Sequence, residues 1–382
     1  MNFALNDDHI LLRDTAQAFL RKEVDLQPLL MPGATVREAG YDRLWPKLVE
    51  LGWPSLVVPE AYGGLGMSMV DLALIVKECG RFLAPSPLFG TLAGSWALMA
   101  AGSEAQKQAW LPVIAEGGAT FALAAASREG SYDPVGRTVL AVTQADGVRL
   151  DGSSGFVVDA TVADHFVVAA NHEGRERFFL VDRHAAGMTI EPLAWRDPTR
   201  HVAHLHFNAT PGEPLEIDAA DTWPWIRDRL SLMLAAESAG GLQEVLDDTV
   251  EYAKERVAFG RPIGAYQAIK HDLADMLAQS ECASTAVLYA AWALSDSPDE
   301  ARVAAAMAQS YASDAYREAT HRSIQIFGAI GFTWEMKNHL YYKRARCNAE
   351  LLGPPTAHRE RLLRALEDRA GGDASTRPDA RP

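Results

Sequence analysis

The chain has 382 residues, 48% hydrophobic and 23% charged, ordinary values for a globular protein with several domains or one large core with subdomains. Its formal net charge of −14 argues against nucleic acid or an anionic membrane as partner, because neither carries the complementary sign. Cys79, Cys282 and Cys347 stand far apart with no Cys-x-x-Cys pair, which fits a reducing cytosol and supports neither a metal site nor a disulfide framework. The opening residues lack the basic and apolar parts of a signal peptide, and no run reaches the roughly 18 uncharged apolar residues of a membrane span. The expected location is cytoplasmic.

Residues 1–118 read as a helical domain. Asn6 is placed to cap the first helix, with Asp7 and Asp8 in its first turn, where acidic groups oppose the positive end of the helix dipole. Leu12, Ala16, Phe19 and Leu20 follow at helical spacing. Leu44, Leu48 and Leu51 share one face of a helix over 42–51, and further helices are expected over 68–82, 88–101 and 104–115. From 119 to 218 the pattern changes to short apolar runs at 138–143, 165–170 and 177–181 between Asp-Gly and Gly-Ser pairs. That is a middle β domain, a small barrel or a sandwich. Long helical patterns return over 219–370, and 371–382 reads as a disordered tail.

Within the last zone, two long helical patterns meet at a break. The run is Glu255-Arg-Val-Ala-Phe-Gly-Arg-Pro-Ile-Gly-Ala-Tyr-Gln267. Gly260 suits a left-handed helix end, Pro262 blocks continuation and Gly264 allows a sharp reversal. Read alone, Arg256 and Arg261 serve equally to complement the helix dipole or to hold an anion.

The whole run resembles the Arg-x-x-Phe-Gly-x-x-Ile/Leu-x-x-x-Gln signature of the acyl-CoA dehydrogenase family. A second block, Gln325-Ile-Phe-Gly328-Ala-Ile-Gly331-Phe332, is similar to the family's Gln-x-x-Gly-Gly-x-Gly-Tyr stretch. A third, Pro59-Glu-Ala-Tyr-Gly63-Gly64-Leu-Gly66, resembles its Pro-Glu-x-x-Gly-Gly-x-Gly loop. The order and spacing of the three cover nearly the full chain. The resemblance implies a mostly α fold of the α+β class: an N-terminal helical domain, a central small β-barrel or sandwich, and a C-terminal four-helix bundle that builds an oligomer. It also implies FAD, an acyl-CoA substrate and an electron-transfer flavoprotein as electron acceptor. Arg256, Phe259, Gln267, Gln325 and Gly328 correspond to elements that reach FAD held mainly by a neighbouring subunit.

Desaturating an acyl thioester requires a carboxylate to take the α proton and the flavin to take hydride from the β carbon. The family carries that glutamate either in a C-terminal Glu-Gly-Thr context or early in the first helix of the C-terminal domain. Counted from the matching motifs, these places fall at Leu352, in Leu-Gly-Pro, and near Leu230, with Asp228 close by. Leucine does no acid–base work. Glu237, two helical turns beyond Leu230 on about the same face, and Glu350 are the substitutes in this chain. Glu237 lies in an apolar run, so it needs either a partner, such as an arginine on another helix, or a raised pKa.

The flavin cradle departs from the family as well. Ser127-Arg-Glu-Gly-Ser-Tyr-Asp-Pro134 stands for Thr-Glu-Pro-x-x-Gly-Ser-Asp, and Gly155-Phe-Val-Val-Asp159 for the Trp-Ile-Thr/Ser strand. Phe156 offers the bulk of the indole, but no hydroxyl follows it. Two readings stay open. The chain is a partner subunit that completes another chain's FAD site in a hetero-oligomer, or it is a homo-oligomeric dehydrogenase that uses Glu237 or Glu350. A flavin-dependent monooxygenase on the same fold is the remaining alternative.

Overall fold

Asn6 caps the first helix by accepting the His9 amide, and helix α1 (Asp7–Glu23) follows with Asp7 and Asp8 in its first turn. The computed structural model describes residues 5–37, 39–133, 136 and 138–375. Helices α2 (Tyr41–Glu50), α3 (Met69–Arg81), α4 (Leu88–Ala101) and α5 (Glu104–Ala115) complete the first helical layer. Ser68 and Ser103 open α3 and α5 with reciprocal capping boxes, each satisfying two amides that have no intrahelical partner. Helix α4 is apolar nearly all round because it is sandwiched: its residues from Leu88 to Leu98 are almost all buried.

The β zone forms seven strands: β1 (Phe121–Ala124), β2 (Val139–Gln144), β3 (Gly147–Val158), β4 (His165–His172), β5 (Arg175–Asp182), β6 (Met188–Pro192) and β7 (Val202–Pro214). The pairings β4–β2, β2–β3, β3–β7, β7–β5 and β5–β4 return to their start, with β1 beside β4 and β6 beside β7. The ring closes, so of barrel and sandwich the barrel is formed. Its interior holds Val139, Leu150, Phe166, Val168, Phe179 and Leu205. Strand β3 bulges twice against β7, at 150/152 and between 154 and 157, which bends the strand next to Phe156.

Three long helices then build the bundle: α6 (Ala219–Glu255), α7 (Gln267–Asp296) and α8 (Pro298–Phe327), followed by α9 (Asn338–Glu350) and α10 (Pro355–Ser375). Helix α10 packs on α8, and α9 packs on α6 and α8. The segment read as a tail from 371 is helical over its first five residues, because adding residues to a formed helix costs little. Residues 376–382 lie outside the described residues. Helix α3 crosses α6 at very close range: a Cβ on Gly240 would sit 1.8 Å from the Lys77 carbonyl oxygen, and one on Gly80 would sit 2.1 Å from that of Glu237. No described helix is long and apolar enough to cross a membrane.

Between α6 and α7 the chain makes a two-stranded hairpin, β8 (Val257–Ala258) with β9 (Arg261–Pro262). Its two turn residues, Phe259 (φ +53) and Gly260 (φ +78), both have positive φ, the sign pattern of a type I′ turn. Gly260 is therefore left-handed as the sequence suggests, but at a hairpin tip rather than a helix end. Gly264 is the middle residue of a single 3-10 turn, Ile263–Ala265, that leads into α7. Its φ is not positive, and a Cβ there would meet the Ala253 carbonyl at 3.0 Å.

Candidate functional site

The α6–α7 connection holds Arg256, Phe259 and Gln267 on one exposed surface. Arg256 is the C-cap of α6, its amide bonded to the Tyr252 carbonyl, and it makes no ion pair among the described residues. Phe259 at the hairpin tip is 97% exposed. The hairpin is tied to the start of α7 by Tyr266, whose hydroxyl donates to the Ala258 carbonyl at 3.0 Å and whose ring lies 4.1 Å from the Arg261 guanidinium. Gln267 is the first residue of α7. The end of α8 adjoins this surface, because Tyr252 of α6 stacks on Phe327 of α8. Gln325 and Gly328 are exposed there, and space beside Gly328 is open for 4 Å around the place of a Cβ.

A second assembly lies inside. Leu230 of α6 and Leu352, just beyond α9, line one cavity together with Leu123, Tyr132, Phe156, Val158 and Trp223. These leucines stand at the two places where the resemblance puts a glutamate, and the fold brings both to the same wall. Among the described residues no carboxylate lines that cavity. Tyr132 and Trp223 lie nearly parallel across it, centroids 6.2 Å apart, and its free volume is about 20 Å³, room for a water molecule. Phe156 (φ +50) and Leu352 (φ +64) both adopt the left-handed region, where bulky side chains rarely stand outside functional sites. Asp228 turns away from the cavity to pair with Arg361, and burial raises its carboxyl pKa. Glu350 is the exposed last residue of α9, whereas the two leucines after it are buried. Pro134 of the neighbouring loop lies outside the described residues.

Glu237 sits elsewhere, in a chamber that shares only Phe89 with that cavity. Both of its oxygens accept from Nη2 of Arg200, at 2.7 and 2.6 Å. Asn348 Nδ2 approaches to 3.3 Å and Arg344 Nη1 to 3.8 Å. Arg344 in turn donates to Asp197 at 2.7 Å and to the Thr199 carbonyl at 2.9 Å. Two arginines and two carboxylates thus form a buried, balanced network that ties the loop before β7 to α6 and α9. The fully buried Asp159, whose Oδ2 accepts the Gly90 amide at 2.9 Å, faces the same chamber. Burial pushes its carboxyl up to about 7, against the pull of Arg200 and that amide. Burial and nearby Arg37 hold His201, on the same wall, down to about 4.

The two regions differ in what they can accept. The outer surface offers an unpaired guanidinium, an exposed aromatic ring and an open glycine edge, which fits the anionic and planar parts of FAD. The inner cavity does not fit an isoalloxazine ring as it stands. The sequence singles out Glu237 and allows an arginine as its partner, but it gives no role to Arg200 or Asp159. The local signal is the Asp197-Pro-Thr-Arg200 turn, whose role emerges only when Arg200 meets Glu237, 37 positions along the chain.

Residues 228–367 match the family described as acyl-CoA dehydrogenase, C-terminal domain, and residues 6–118 match its N-terminal domain. The chain is 36% identical over 363 residues to a Mycobacterium tuberculosis protein named acyl-CoA dehydrogenase IpdE2, covering 94% of this chain and 96% of that one. Among solved structures, butyryl-CoA dehydrogenase from Megasphaera elsdenii superposes with a TM-score of 0.88 at 25% identity, covering 96% of this chain and 100% of that one. The ChsE4–ChsE5 complex from Mycobacterium tuberculosis gives 0.84 at 26%, covering 99% and 100%.

Proposed function

Because this chain belongs to the acyl-CoA dehydrogenase family, oxidoreductases acting on CH–CH bonds, we propose that it works as one subunit of an FAD-dependent acyl-CoA dehydrogenase and completes the cofactor site of a second, catalytically equipped chain. One observation carries this reading. The two places that would hold the base converge on a single cavity wall and both are leucine, while the outward-facing set Arg256, Phe259, Gln267, Gln325 and Gly328 is intact.

FAD, when bound, supplies the acceptor for the β hydride. Arg256 supplies charge-assisted hydrogen bonds to its pyrophosphate, and a guanidinium fork suits phosphate better than an ammonium would. Phe259 and the Gly328 edge would hold the adenosine end, with Gln325 and Gln267 as hydrogen-bonding neighbours. Among the described residues, none that lines the inner cavity is able to take the α proton. Glu237 is committed to Arg200, so it would have to release a buried cation before acting as a base. Glu350 points to water. We therefore assign Glu237 to holding the fold, and the base to the partner chain. The similarity to a chain of the ChsE4–ChsE5 complex supports a hetero-oligomer. An electron-transfer flavoprotein remains the proposed electron acceptor, and the monooxygenase reading has no observation in its favour.

The test is the visible spectrum of the chain expressed alone and with a second family member from the same genome that carries the glutamate. The expected result is a colourless chain alone and a yellow complex with about one FAD per two chains. One FAD per chain in the isolated protein, bleached by an acyl-CoA, would overturn the assignment.

A further inference from the structure

The outward-facing residues come from two helices that end independently. Helix α6 delivers Arg256, and α8 delivers Gln325 and Gly328. A single nucleotide can meet both sets only if the two helix ends keep a fixed spacing.

One side chain touches both. Tyr252 lies one turn before Arg256, and its carbonyl accepts the Arg256 amide at 2.9 Å. Its ring stacks on Phe327 with centroids 4.0 Å apart and planes 11° from parallel. Its hydroxyl donates to the Phe327 carbonyl at 3.3 Å. Phe327 is the last residue of α8, and Gly328 leaves the helix with φ +70. Phe327 is also the N-cap of the 3-10 turn Gly328–Phe332, whose first bond its carbonyl accepts, so the hydroxyl adds a second donor at the point where α8 ends. One turn deeper, the Thr249 and Ser323 hydroxyls are hydrogen-bonded at 2.8 Å, and Ser323 also accepts from Asn338 of α9 at 2.9 Å. That buried rung sets the α6–α8 distance in the interior. The Tyr252–Phe327 stack is the next rung outward, where the two helices end at the exposed surface.

We propose that Tyr252 is a positioning residue for FAD, an aromatic clamp that holds the α8 end against the α6 end so that Arg256 and the Gln325–Gly328 edge address the same nucleotide. It contacts no cofactor itself. The assignment rests on the function proposed above, since it requires the exposed set to meet FAD.

Two measurements decide it, and the first needs neither FAD nor a partner. Hydrogen exchange of the purified chain should show amides over 256–262 and 326–332 opening about tenfold faster in Tyr252→Leu, with those around Thr249 and Ser323 unchanged. Tyr252→Phe, which keeps the stack, should stay close to wild type. Unchanged exchange in Tyr252→Leu would sink the clamp. The second measurement is FAD affinity, together with the FAD-induced rise in thermal midpoint, in the assembly that binds the cofactor. Tyr252→Leu should weaken FAD about tenfold and Tyr252→Phe less than about threefold, in line with the worth of an aromatic pair. A general packing loss would lower the midpoint equally with and without FAD, and that outcome would also overturn the proposal. Arg256→Ala is the parallel control. Wild-type FAD affinity in that variant would remove the reading of the exposed surface, whatever the exchange data say of Tyr252.

Discussion

At the scale of single residues, Glu237 and Asp159 share a chamber but differ in what holds them. Glu237 is bonded through both oxygens to Arg200. Replacing one member of a buried ion pair leaves the other charge uncompensated, so Glu237→Gln should cost about 3 kcal/mol of stability, measured by urea unfolding. A variant that unfolds like wild type but abolishes turnover would restore Glu237 as a base. Asp159 has a folded-state pKa pushed up to about 7 from an ordinary 3.8. Between those values the folded chain holds this proton and the unfolded chain does not. Raising the pH therefore removes stability through this window, at about 1.4 kcal/mol per pH unit from this one group. Below the window, where both states hold the proton, the penalty is absent. Asp159→Asn should flatten that part of the stability–pH curve. An unchanged slope would mean that Asp159 is ionised in the fold. Of these residues only Glu237 stood out in the sequence, as an acid in an apolar run. Its partner Arg200 and the raised carboxyl of Asp159 both depend on tertiary burial, which no local pattern encodes.

At the scale of elements, what was legible follows the rules of each element. Helices α4 and α5 lie over 88–101 and 104–115, the ranges expected from their helical patterns. The strands at 139–144, 165–172 and 175–182 overlap the runs read as β. The barrel's closure was not legible, since barrel and sandwich share the same alternation. Nor was the hairpin at 257–262, which is too short to show a period of its own. The α3–α6 crossing was invisible as well, because glycines in a helix read only as weak formers until another backbone lies against them. Gly240→Ala would set a methyl group 1.8 Å from a carbonyl oxygen of α3. The helices would have to separate, so the variant should lose at least about 3 kcal/mol, seen as a lowered thermal midpoint. A midpoint within a degree or two of wild type would show that the crossing is looser than described.

For the whole molecule, stability and assembly make opposite demands at one position. Phe259 is fully exposed and left-handed, a conformation that costs a non-glycine residue about 1 kcal/mol. An Asn-Gly pair is the preferred sequence for this turn. Phe259→Asn should therefore raise the stability of the isolated chain by up to about 1 kcal/mol, while weakening FAD binding and assembly with a second chain. Calorimetry and sedimentation would read the two effects separately. Loss of stability in the isolated chain would show that the ring is already covered there.

The same aromatic tip has a consequence for how much of this protein a cell can make. If its cover comes from another polypeptide, every copy made in excess presents a bare ring and a strand-edged hairpin to the surrounding solution. Such surplus chains invite self-association or proteolysis. The abundance of the pair is then set by the scarcer chain, and the two are best made in equal numbers.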